Sequence, residues 1–233
     1  MEQLRLPTPS LALLLAAVAV AATATAAQPV YEVVNNAQGT AGGNRFEESI
    51  GPDYTKQVLA EAASFIWSTF AQSAAGDRKN VDHVTVIIES MGGVAYTSNN
   101  EIHFSAEYIE NFSGDVKQEF TGVLYHESTH VWQWSGQGQA PSGLIEGIAD
   151  YVRLTAGYEP ADGHWVKPGE GSRWDQGYDV TARFLVYLDG LRRGFVAELN
   201  RKMKDGYSDD FFKELLGKPV DQLFTEYKQA YGH

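Results

Sequence analysis

The sequence predicts an α+β fold in which a small mixed sheet precedes a long site-bearing helix and a group of C-terminal helices. Two observations predict it. Runs of β-branched residues bounded by Gly and Asn cluster before residue 105, whereas apolar residues recur at helical spacing from about Asp115 onward. Strands first and helices afterwards, with no internal repeat, indicate α+β rather than alternating α/β.

The elements follow in order. Residues 1–27 read as a secretory signal: Arg5 precedes an apolar run from Leu11 to about Ala22, and small residues suit cleavage near Ala26 or Ala27. The apolar run is too short and too alanine-rich to favour spanning a membrane. Residues 28–233 form one expected domain. Residues 28–54 are expected to be extended and loop-like, with a short strand at Val30, Val33 and Val34 and a Gly-rich stretch at Gly39–Gly43. Leu59, Ala62, Ala63, Ile66 and Phe70 mark a helix. The segment DHVTVIIE, 82–89, is a buried strand that Gly92-Gly93 ends, and Ser98-Asn99-Asn100-Glu101 turns a hairpin between Val94–Thr97 and Ile102–Phe104. Asp115 with Gln118 resembles a capping box and opens the site-bearing helix; Gly136, Gly138 and Pro141 end it. Ser142 is placed to cap the next helix, with Leu144, Ile145, Ile148 and Val152 on its apolar face. A Gly/Pro loop over 157–172 is followed by helical patterns at 175–190, 194–204 and 209–230.

Composition bounds the function. The chain carries a net charge of −12, which disfavours nucleic acid and other polyanions as partners. It has no cysteine, so disulfides, thiolate catalysis and cysteine-based metal sites are excluded. Asn111-Phe112-Ser113 is an N-glycosylation sequon.

The chemistry concentrates in His126-Glu127-Ser128-Thr129-His130. On a helix, His126 and His130 lie one turn apart and can offer imidazole nitrogens to one metal ion. Glu127, about 100° round the helix, can touch a metal-bound water rather than the metal. The next helix repeats the spacing: Glu146 and Asp150 lie on one face. The 15 residues between His130 and Glu146 suffice for a turn and an antiparallel return. Two His, one Glu and a water make the usual catalytic zinc site with an open fourth position, so one Zn2+ is expected. Asp150 is placed to accept the second ring N–H of a histidine, His126 for preference.

The segments YHESTHVWQW, GLIEGIADYVRL and RWDQGYDVTARFLVYL resemble the plant basic secretory protein family, the peptidases of plants and bacteria, over nearly the whole chain after Val30. The E-x-x-x-D pattern is similar to that of the wider thermolysin-like zinc peptidases. The resemblance implies a zincin-like metallopeptidase acting on protein or peptide substrates, with His126, His130 and Glu146 as ligands, Glu127 as general base and Asp150 as support. It also implies an extended substrate along an edge strand, either Gly93–Thr97 or Ile102–Ser105. Two departures stand out. The chain is acidic where the family name says basic. Thermolysin-like enzymes place a Tyr in a Y-x-x-G motif, and the local match, Trp174-Asp175-Gln176-Gly177, has Trp instead; Tyr178 is the nearest substitute and His164 another. Rival readings are a secreted defence or recognition protein with structural zinc, and a zinc amidase acting on non-protein amides. Trp132 and Trp134 are expected to pack in the core, while His103, His83 and His233 are expected at the surface.

Overall fold

The computed structural model describes residues 29–232; the expected signal, residues 1–27, and His233 lie outside that range. Four strands form one mixed sheet: β1 (Val30–Asn35), β2 (His83–Glu89), β3 (Ala95–Ser98) and β4 (Glu101–Ser105), in the order β1-β2-β4-β3. β1 and β4 both pair parallel to β2, and β3 pairs antiparallel to β4. Alternation drives the arrangement, because Val84, Val86 and Ile88 of β2 and Ile102 and Phe104 of β4 all point into the core. The hairpin turns at Asn99 and Asn100, which have φ of 51° and 63°, the left-handed pair that a tight two-residue hairpin requires. β3 is therefore an edge strand, with β1 at the opposite edge. Ile102–Ser105, the other candidate edge, lies between β2 and β3 and cannot receive an added strand.

One helix, α1 (Ala41–Ser49), occupies the N-terminal region expected to be loop, and the helix expected at Leu59–Phe70 is α2 (Pro52–Thr69), which begins earlier. The Gly-rich stretch is helical because its glycines permit close packing rather than a turn. A Cβ at Gly42 would lie 2.0 Å from the Ala106 carbonyl oxygen, and one at Gly43 would lie 2.0 Å from that of Ala37. Thr40 caps α1 by accepting from the Gly43 N–H. A short helix, α3 (Ala106–Asn111), follows β4.

The site-bearing helix is α4 (Val116–Trp132), and the Asp115 carboxylate accepts from the backbone N–H groups of Lys117 and Gln118. α5 (Ser142–Thr155) packs beside it. Pro141, not Ser142, occupies the N-cap, and no side chain caps this helix. Proline suits the position because its fixed φ is preorganised for helix entry. α6 (Tyr178–Leu191) and α7 (Phe195–Lys202) match the expected patterns closely. The last pattern is two helices, α8 (Asp210–Leu216) and α9 (Val220–Ala230). Gly217 at φ 77° and Pro219 break it, since a left-handed residue followed by proline cannot continue a helix. Among the described residues, no helix is long and apolar enough to cross a membrane.

Candidate metal site and its cleft

α4 and α5 place His126, His130 and Glu146 together. The three side chains offer Nε2, Nε2 and a carboxylate oxygen within 4.8 Å of one another. His126 Nε2 lies 3.1 Å from His130 Nε2 and 3.1 Å from Glu146 Oε2, and His130 Nε2 lies 3.5 Å from that oxygen. Donors at the corners of a tetrahedron with ligand bonds near 2.0 Å are spaced by about 3.3 Å, so the set fits a four-coordinate ion with one corner open. Asp150 Oδ1 sits 2.6 Å from His126 Nδ1. With the Nδ1 proton held by Asp150, Nε2 is the nitrogen that faces Glu146 and His130 and would bind a metal once its own proton is displaced.

The charges of this group are coupled. Burial works against an imidazolium at His126, but the hydrogen bonds to Asp150 and Glu146 outweigh it and raise its pKa to about 10. Burial would raise the Glu146 carboxyl, yet the two imidazoles hold it down at about 2. The site is thus built for positive charge, which a proton or a metal cation can supply.

Glu127 is 5% exposed and opens onto the same cleft, a cavity of about 990 Å³ between β3 and the α4–α5 pair. Its carboxylate is not loose. The Thr97 hydroxyl, on the inward face of β3, lies 2.6 Å from Glu127 Oε2 and 3.1 Å from the Glu127 carbonyl oxygen, and its one proton serves either acceptor.

Tyr178 reaches the cleft and Trp174 does not. The Trp174 indole is buried against Phe212 at 5.3 Å. Its carbonyl accepts from the Thr181 hydroxyl, which itself accepts from the Gly177 N–H, so the turn before α6 is tied down. That turn carries Tyr178 at φ 46°, a strained setting for an aromatic residue. The Tyr178 ring is 56% exposed and lies parallel to His126, with centroids 6.0 Å apart. Partial burial and the carboxylates of Glu146, Asp150 and Glu127 push its hydroxyl pKa up, so it is a protonated donor at neutral pH. His164 is at the cleft rim, exposed and bonded to Asp162.

The remaining expectations divide. Trp132 packs edge-on against Trp67 in the core, and Trp134 packs partly buried against it. His83 is exposed as expected. His103 is not: it stacks on Tyr96 of β3 at 4.5 Å and meets Glu89 of β2 at 2.7 Å, so side chains of the two adjacent strands flank it. Sequence reasoning placed Thr97 only on a candidate edge strand and passed over Glu119 and Arg153; all three line the cleft. Arg153 had a signal: it continues the Glu146–Asp150 stripe of α5 by three residues.

The cleft of this α+β chain thus holds a His/His/Glu donor set that could bind a metal ion, beside a buried glutamate. The sequence pattern of the family described as peptidase of plants and bacteria matches residues 28–227, and the chain belongs to that family. Over 59 residues it is 49% identical to the Basic secretory protease of Boswellia serrata, covering 25% of this chain and 67% of that protein. No solved structure matches the chain.

Proposed function

We propose that the chain is a secreted zinc metallopeptidase that hydrolyses peptide bonds in the cleft between β3 and α4–α5. One observation carries the reading: His126, His130 and Glu146 offer donors at tetrahedral spacing, with a buried carboxylate, Glu127, next to them in an open cleft. The cysteine-free His/His/Glu set suits zinc, and His126, His130 and Glu146 would be its ligands. Bound there, zinc would supply Lewis acidity and a water acidified towards neutral pH.

The chain's own residues do the rest. Glu127 takes the proton of the attacking water and delivers it to the leaving nitrogen. Thr97 fixes one oxygen of Glu127, so the other stays free for the water. Asp150 holds His126 in the tautomer with Nε2 unprotonated. Tyr178 donates its hydroxyl to the oxyanion that develops on the scissile carbonyl. Val94 gives its carbonyl to the Ser105 N–H, so in the β3–β4 ladder the backbone groups of Ala95 and Thr97 face the open edge and can pair with an extended peptide. A structural zinc would have no use for the held glutamate or the open cleft. Secretion rests on the signal-like residues 1–27 and agrees with the name of the Boswellia relative.

Glu127→Gln tests the mechanism. It should keep one zinc per chain while peptide cleavage falls by at least about a thousandfold, within the range for loss of a positioned base. Zinc content together with cleavage at the wild-type rate would exclude Glu127 as the base.

A further inference from the structure

Glu119 and Arg153 are charged residues, 9% and 7% exposed, that the proposed hydrolysis leaves unused. Arg153 Nη2 donates to Glu119 Oε2 at 2.8 Å. A buried ion pair is a poor stabiliser, because desolvation cancels most of the attraction and an apolar pair of similar size serves as well. Its position is informative. Arg153 lies in the same cleft as Glu146, roughly 10 Å of helix rise further along α5.

The pair is constructed so that one side of the guanidinium stays available. Glu119 Oε1 accepts from the Tyr108 hydroxyl and Oε2 from Arg153, so each of its oxygens is engaged. Arg153 Nε donates to the Tyr158 carbonyl oxygen at 2.9 Å, whereas Nη1 makes no hydrogen bond among the described residues. Gly122 of α4 leaves the space: a Cβ there would come within 2.9 Å of Arg153 Nε. Val123 and Trp165 line the cleft as apolar walls near this end.

We propose that this end of the cleft is a subsite for a substrate side chain with an apolar stem and a hydrogen-bond acceptor at its tip, glutamine or glutamate. The proposal rests on the peptidase reading. The stem packs between Val123 and Trp165, and the terminal oxygen accepts from Arg153 Nη1. A lysine or arginine side chain meets a guanidinium there, and leucine leaves the donor unpaired.

The test is to digest a mixed peptide library and count the residues flanking each cut bond. Glutamine and glutamate together should exceed leucine and lysine by at least about tenfold on one side of the bond. In the double variant Glu119→Leu, Arg153→Met that preference should pass to leucine and methionine. Arg153→Lys, which keeps a cation beside Glu119 but has no Nη1, should lose most of the preference and carries the comparison if the double variant does not fold. Cleavage indifferent to these residues, a lysine preference, or an unchanged preference in the folded variants would overturn the subsite alone. A wild-type protein with zinc bound that cuts no library peptide would overturn the peptidase reading itself.

Discussion

Glu127 gains its value from a residue 30 positions away, since the Thr97 hydroxyl holds its carboxylate. Thr97→Val removes that bond at nearly constant volume. It should lower kcat about tenfold with KM and zinc content unchanged, while Thr97→Ser should stay close to wild type. Steady-state kinetics of both variants check this. Tyr178→Phe should keep the fold and the metal yet lose about 100-fold in kcat/KM, the usual cost of one oxyanion donor. His126 gives a pH prediction whose sign is fixed. Its pKa of about 10 means that at lower pH a cation must displace a proton from the ring. Zinc affinity should therefore fall by about tenfold per unit as pH drops from 9 to 7, as competition for one proton requires. Titration calorimetry at several pH values would show it, and a flat profile would contradict the coupling. At this scale the sequence reveals only what helical periodicity encodes. His126 with His130, and Glu146 with Asp150, repeat at four residues and stand out. Thr97 and Glu119 meet partners 30 and 34 residues distant, and no local pattern records such pairs.

Two helices hold the donor set, so their packing sets the geometry of the site. α5 lies against the turn before α6 and against α6 itself through Gly143 and Gly147. A Cβ at Gly143 would fall 1.9 Å from the Asp175 carbonyl oxygen, and one at Gly147 would fall 2.3 Å from Thr181 Cγ2. Gly147→Ala should therefore destabilise the protein by about 1–3 kcal/mol and weaken zinc binding, because Glu146 shifts with the helix. Denaturant melts and a metal titration of that variant would test both effects. The strands and the long helices were readable from alternation and from the apolar stripe. α1 was not, because glycine ordinarily signals a turn, and here Gly42 and Gly43 serve a close backbone approach to Ala106 and Ala37. The break between α8 and α9 was legible in Gly217 and Pro219, but the amphipathic pattern runs across it.

The whole molecule has no disulfide, so its stability comes from one apolar core and, on the present account, from an ion joining α4 to α5. Removing a ligand held at a thousand times its Kd costs about 4 kcal/mol, which for a chain of this size lowers Tm by about 10 °C. Chelation should show that loss in a thermal melt, and stoichiometric zinc should restore it. The net charge of −12 acts on solubility and encounter rather than on the donor set of the site, so an acidic chain can be 49% identical over 59 residues to a relative called basic. The central claim is that His126, His130 and Glu146 together hold one ion that cleavage requires. The most direct measurement titrates zinc into chelated protein while peptide cleavage is followed. Activity should return linearly and stop rising at one equivalent per chain, and Glu146→Ala should show no such return. Cleavage that persists in the chelated protein, or that returns equally in Glu146→Ala, would contradict the claim.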